Sequence, residues 1–157
     1  MKKGIILSMN KKQEIQLALT AAMKAQDEDT KRTLRLVMSA IKLSEVAEGG
    51  DIDDSRILSL LQKEVKTRED AIEEAKRANR TDLVDTARRE IQILNRFLPQ
   101  QIAQDELRQL AQEVIRETGA GEMRDMGEVM KHLMPKLQGR ASGQEASKVV
   151  RELLLNK

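Results

Sequence analysis

The 157-residue chain contains no cysteine, no tryptophan and no tyrosine, and it has one phenylalanine, one histidine and two prolines. Without thiols there is no disulfide framework, thiolate zinc site, iron–sulfur cluster or cysteine nucleophile. Without aromatic side chains there is no platform on which single-stranded bases can stack, so a bound nucleic acid would be held by its backbone and its shape. Strand-forming β-branched and aromatic residues are scarce. Long apolar runs are missing too. The Ile5-Ile6-Leu7 run ends at Ser8, short of a signal peptide's apolar segment, and nothing approaches the roughly 18 apolar residues of a membrane span. The expectation is a soluble, cytoplasmic chain.

What is abundant is Ala, Leu, Glu, Lys and Arg, which together fill half the sequence, the composition of long helices when apolar residues recur at helical spacing. The predicted fold is all-α. A first helix reads from Asn10 to Gln26, opened by an Asn10–Gln13 capping box and carrying a stripe of Ile15, Leu19, Ala22 and Met23. Carboxylates favour a helix N-terminus, so Asp29 or Thr30 opens a second helix with Leu34, Val37, Met38, Ile41 and Leu43 or Ser44 on its apolar side; Gly49-Gly50 stops it. A third runs from about 54 to 78 with Ile57, Leu61, Val65, Ile72 and Ala75. After a turn at Asn79-Arg80, Leu83, Ala87, Ile91, Leu94 and Leu98 line a fourth, which Pro99 ends. Residues 10–98 therefore read as two helical hairpins.

Beyond Pro99 the helices read as shorter. Leu107, Leu110 and Val114 mark one that stops at Gly119-Ala120-Gly121. Met126, Val129, Met130 and Leu133 mark a second, kinked or ended by Pro135. Ser142 and Glu145 form a capping box for a third, with Ala146, Val149, Val150, Leu153 and Leu154. The expected organisation is a disordered extension over residues 1–9, an N-terminal helical domain over 10–98 and a three-helix tail over 99–157. The apolar start has no periodic partners, residues 1–8 are expected to be dispensable, and Met9 offers an alternative start.

Catalytic groups are hard to find. No Ser sits in a G-x-S-x-G elbow, and neither a G-x-x-x-x-G-K-[ST] phosphate loop nor a G-x-G-x-x-G array occurs. His132 reads as a surface or boundary histidine, and a general base would still need a positioned nucleophile. Carboxylates alternate with bases, as in Lys66, Asp70, Glu73 and Arg77, a solvated ion-pair face rather than an acid/base pair or metal cage. Met123, Met126, Met130 and Met134 recur at helical spacing, as core filler or as an adaptable partner groove. The expectation is no enzyme activity, no catalytic residue, no metal and no cofactor.

Charge is distributed more tellingly than the net +2 suggests. Residues 99–130 carry three bases and seven acids, net −4, whereas residues 131–157 carry six bases and two acids, net +4. Lys131, Lys136, Arg140, Lys148 and Arg151 are candidates to line a phosphate-binding surface, with Gly139 and Gly143 permitting close backbone approach. Lys76, Arg77 and Arg80 form a second basic spot at the tip of the long hairpin. The alternative is an ordinary charged surface.

Several stretches carry a family resemblance: 33–42 (TLRLVMSAIK), 63–68 (KEVKTR), 80–83 (RTDL), 90–94 (EIQIL) leading to Phe97-Leu98-Pro99, 126–130 (MGEVM) and 136–141 (KLQGRA). In unbroken order from about Asn10 onward, they resemble the YqeY family, which is similar to the C-terminal part of GatB, a subunit of the tRNA-dependent amidotransferase. The resemblance implies an all-helical, two-part protein. In GatB the corresponding region is implicated in holding tRNA, while the catalytic chemistry lies in a separate part that nothing here matches. A label of carbon–nitrogen ligase with glutamine as amide donor would be inherited from such relatives. Two positions depart from the family's habit: Ser142, where Asp is common, keeps a helix cap, and Ala103, where Ser or Thr is common, weakens one. The function implied is a non-catalytic tRNA-binding module acting with a tRNA synthetase or an amidotransferase. The alternatives are a protein-interaction adaptor and an accessory subunit of a glutamine-dependent carbon–nitrogen ligase.

Overall fold

The computed structural model describes residues 9–156, and the expectations for residues 1–8 lie outside them. Within the described residues there are seven α-helices, one 3-10 turn and no strand. The chain divides into two compact units, one ending at Leu98 and the other beginning at Pro99.

The first unit consists of α1 (Lys11–Ala25), α2 (Glu28–Glu48), α3 (Asp54–Arg77) and α4 (Thr81–Asn95). Local chemistry sets each boundary. The Asn10 side chain accepts from the Gln13 amide at 2.8 Å, and the Gln13 side chain accepts from the Asn10 amide at 3.0 Å, which satisfies two amides that the first turn leaves free. At the other end Gln26 takes a left-handed conformation, φ 58°, and the chain turns directly into Asp27, the cap of α2. This helix starts earlier than Asp29 or Thr30 because the Asp27 carboxylate accepts from both the Thr30 amide and its hydroxyl, at 3.2 and 2.7 Å. Gly49, at φ 79°, closes α2 and donates to the Glu45 carbonyl. Asp53 caps α3 through the Arg56 amide.

Helices α1 and α2 pack as neighbours, as do α3 and α4, and α2 also touches both α3 and α4. Ile15, Leu34, Val37, Ile41, Ile57, Leu61 and Leu94 make the main apolar cluster, closed at one end by Phe97, the one aromatic residue. Full burial of a side chain such as Leu61 contributes roughly 1.5–3 kcal/mol. A second small cluster of Ile72, Ala75, Val84 and Ala87 holds the far end of the α3–α4 pair.

The structure corrects further assignments in this unit. Met23 and Leu83 are exposed rather than core, and of the two alternatives at the end of the α2 stripe Leu43 is exposed while Ser44 is half-buried. In α4 the buried positions are Val84, Ala87, Ile93 and Leu94, because the helix rotates Val84 and not Leu83 toward α3. Finally, α4 ends at Asn95, before Pro99 acts, so Leu98 lies in the following turn.

The second unit consists of α5 (Gln104–Thr118), the 3-10 turn Met123–Asp125, α6 (Met126–Leu137) and α7 (Gly143–Leu155). With fifteen residues α5 is as long as α1 and α4, not a short helix. Each of these three helices packs on the other two, around Leu107, Ala111, Val114, Val129, Leu133, Leu137, Ala146 and Val150. Pro135 does not end α6. It removes the amide that would bond the Lys131 carbonyl, but Leu133 and Leu137 on either side are both fully buried and hold the helix through it. Ahead of α5, Ile102 donates to the Arg140 carbonyl at 2.9 Å and buries its side chain in the cluster.

Candidate nucleic-acid interface

The candidate basic residues of the second unit fall into two groups. Lys136 and Arg140 are engaged. The Arg140 guanidinium donates to both Glu106 carboxylate oxygens, at 3.1 and 3.4 Å, and to the Gln100 carbonyl at 3.3 Å. Two successive left-handed residues, Gln138 (φ 50°) and Gly139 (φ 78°), reverse the chain after α6 and bring Arg140 back toward Glu106. Gly139 therefore serves a turn that its missing Cβ makes easy. Lys136 faces Glu117 on α5 at 3.4 Å.

Lys131, Lys148 and Arg151 form no ion pair among the described residues, and all three are exposed. Their placement follows from how α6 and α7 meet. The Ser147 hydroxyl lies 3.9 Å from the Met130 sulfur, and a Cβ at Gly143 would lie 4.0 Å from the Met134 methyl. Residue numbers rise along one helix as they fall along the other, so the two run antiparallel, with Met130 and Ser147 at the seam. On such a pair the next residue of each helix turns to the same side, which places Lys131 beside Lys148. Val129, Leu133, Ala146 and Val150 are buried on the opposite side, toward α5, so both lysines face away from α5. Arg151, three residues beyond Lys148, is on that same outward face and level with the start of α6, where Gly127 leaves open space. The neighbouring carboxylates have other partners: Glu128 sits 2.7 Å from His132 and Glu152 3.1 Å from Arg108, Glu145 accepts from the Ser142 amide at 3.3 Å, and Asp125 accepts from the Gly121 and Glu122 amides at 2.9 and 3.0 Å. Three cations thus share one outward face.

The second basic spot is largely neutralised. Arg80 holds Asp82 through two bonds, at 2.9 and 3.1 Å. That hydrogen bonding raises the arginine's pKa and lowers the aspartate's. Lys76 faces Glu73 at 3.3 Å, leaving Arg77 as the cation of the three without an ion pair. The methionines settle as core filler: Met126, Met130 and Met134 pack against the second unit's cluster, while Met123 is exposed. His132 lies on the surface with Glu128. Among the described residues no cluster of His, Asp or Glu is arranged to hold a metal, and no helix is long and apolar enough to cross a membrane.

A residue that the apolar stripes of the sequence pass over is Arg68, 8% exposed and inside the first unit. Its signal was present. The α3 stripe of Ile57, Leu61, Val65, Ile72 and Ala75 leaves out the position three beyond Val65 and four before Ile72, and that position is Arg68.

Comparison with known proteins gives the chain its relatives. It is 40% identical over 83 residues to altered inheritance of mitochondria protein 41, mitochondrial, of Lachancea thermotolerans, a stretch covering 52% of this chain and 44% of that protein. The protein of the same name in Pyrenophora tritici-repentis is 27% identical over 143 residues, 89% of this chain and 78% of the relative. That of Saccharomyces cerevisiae is 33% identical over 90 residues, 57% and 49%. The match thus spans less than half the length of the Lachancea and Saccharomyces proteins. Residues 12–154 match the family described as Yqey-like protein. Covering both helical units in a single match, this places the chain in the YqeY family.

Proposed function

We propose that the chain is a non-catalytic module that binds tRNA by its phosphate backbone and its shape, in association with aminoacylation or amidotransferase machinery. The binding face is the outward side of α6 and α7, with Lys131, Lys148 and Arg151 as the phosphate contacts. What supports this is that the three share one outward face and none is paired with a carboxylate, whereas of the other candidate cations Lys136, Arg140, Lys76 and Arg80 are each paired and Arg77 stands alone. Arg151 supplies a planar guanidinium fork for bidentate contact with phosphate, and the two lysines supply point charges. With no aromatic residue on the face, sequence is not read by stacking. The purified chain is expected to hydrolyse neither glutamine, ATP nor aminoacyl-tRNA.

The test is tRNA binding followed by fluorescence anisotropy between 50 and 200 mM salt. Each phosphate contact adds about 0.9 to the slope of log affinity against log salt on a duplex. Replacing Lys131, Lys148 and Arg151 together by Glu should weaken binding at least tenfold at low salt and flatten the slope by about two to three. Absence of binding by the unaltered chain, or binding untouched by the triple replacement, overturns the proposal.

A further inference from the structure

The outward side of α2 carries a second surface that neither the core nor the basic face of the other unit uses. Leu36, Leu43 and Val46 are 51%, 72% and 73% exposed. At 3.6 residues per turn, Leu36 and Leu43 form one ridge and Arg35 and Lys42 form another, with Ser39 and Val46 between them. Thr33, Leu34, Val37 and Ile41 of the same helix are fully buried on the opposite side. Neither Arg35 nor Lys42 forms an ion pair among the described residues, although Lys12, Lys31 and Arg32 nearby all do. Beside the cationic ridge, Leu19, Met38 and Ile41 floor a groove of about 650 Å³ between α1 and α2. A smaller hollow of about 390 Å³ shares Arg35 and Ser39 with it.

We propose that this face of α2 docks an acidic amphipathic helix of a partner protein. Charge complementarity selects the occupant. Two unpaired cations seven residues apart are about 10.5 Å apart along the axis, the repeat at which a partner helix presents two carboxylates on one side. Adjacent apolar residues of that helix would cover Leu36 and Leu43, the i, i+7 anchoring used when an amphipathic helix lies in a groove. A second copy of this chain fits poorly. Antiparallel two-fold pairing of the face sets Arg35 and Lys42 against the same cations of the copy, and parallel pairing sets them against leucines. Both pairings leave the cations without a free carboxylate: positions 35, 36, 39, 42, 43 and 46 include none, and Glu45 and Glu28, which line the two hollows, are held by Lys12 and Lys31. A phosphate backbone would satisfy the cations but gains nothing from the exposed leucines. The proposal is independent of tRNA binding by α6 and α7.

The experiment places the photo-crosslinking residue p-benzoylphenylalanine at Leu43, an exposed position, in the full chain expressed in cells of its source. The adducts are then digested and sequenced by mass spectrometry. The expected product is an adduct to a different protein, through a segment with carboxylates seven residues apart beside apolar residues. Its yield should fall at least fivefold when Arg35 and Lys42 are both replaced by Glu, persist in Arg35→Lys, and be unaffected by Glu at Lys131, Lys148 and Arg151. Circular dichroism should show the same helix content in every variant. An adduct to a second copy, to RNA or to a segment without that pattern overturns the proposal. So does a yield indifferent to the charge reversal, and so does no adduct at all.

Discussion

Arg68 on α3 donates from Nε to the Glu90 carboxylate on α4 at 3.1 Å, from a place in the helical repeat where an apolar side chain would be the rule. Its Nη1 reaches the Glu64 carboxylate at 2.8 Å and the Glu64 carbonyl at 3.0 Å. The second oxygen of Glu90 takes Arg32 of α2 at 3.3 Å, and Arg32 also holds Asp29 at 2.8 Å. Three helices are therefore linked by alternating charges between the unit's two apolar clusters. Burial of a charge is tolerated when its partners are in place and costly when one is removed.

Truncation of Arg68 should accordingly be severe. Arg68→Ala is expected to lower unfolding free energy by about 3–5 kcal/mol, since Glu90 and Glu64 lose a nearly buried partner. Replacing the pair together, Arg68→Met with Glu90→Leu, should recover most of that loss, because an apolar pair of similar volume avoids the desolvation penalty. Urea denaturation of the three proteins decides it. A single variant as stable as the parent would show that the pair is not structural.

Acid should act through the start of α2. Hydrogen bonds from the Thr30 hydroxyl and amide hold the Asp27 carboxyl below its ordinary pKa, and Asp29 is held low by Arg32 and then Arg89. A depressed carboxylate stabilises the fold above the unfolded-state pKa and loses that contribution as pH falls through the folded value. Melting temperature should therefore drop more steeply between pH 5 and pH 2 in the parent than in Asp27→Asn, which keeps an acceptor for the cap but no titrating group. Parallel curves for the two proteins would contradict this.

The start of α5 offers a gain. Ala103 occupies the cap position with extended geometry, φ −68° and ψ 146°, and contributes no side-chain hydrogen bond. Ala103→Ser or Ala103→Asp should add an acceptor for a first-turn amide and raise stability by about 1 kcal/mol. Thermal or urea unfolding of the full chain measures it.

Arg140 tests the proposed division between structural and phosphate-binding charge. Its partners lie within its own unit, and Arg140 and Glu106 both remain more than a third exposed, so breaking the pair should cost about 1 kcal/mol at most. Arg140→Gln is expected to leave tRNA affinity within about twofold of the parent, where loss of one phosphate contact would weaken it more and lower the salt slope by about 0.9. Arg151→Gln should show the larger effect. The reverse ranking would move the contact surface to the α6–α7 loop.

How much of this the sequence held depends on how far apart the interacting residues lie. Helix starts and stops were legible where their chemistry is local: Asn10 with Gln13 and Ser142 with Glu145 close across three residues, and Gly49 and Gly119 supply left-handed ends, whereas α2 opens earlier than Asp29 and α4 ends ahead of Pro99. The all-helical class followed from composition and period. The face a helix buries was only partly legible, because adjacent apolar residues such as Leu83 and Val84, or Ala22 and Met23, satisfy the period almost equally well. The packing of neighbouring helices chose between them.

The charged residues show the division most clearly. Sequence located every cation of the basic tail, since composition alone turns net negative before residue 131 and net positive after it. Which of those cations are available was a tertiary decision. Arg140 met Glu106 and Lys136 met Glu117 across 34 and 19 residues, whereas the antiparallel seam of α6 and α7 turned Lys131, Lys148 and Arg151 outward together. Arg68 became a buried strut for the same reason. An ion pair forms only where folding brings opposite charges within a few ångströms, and between residues tens of positions apart that proximity belongs to the packing of helices, not to the spacing of letters.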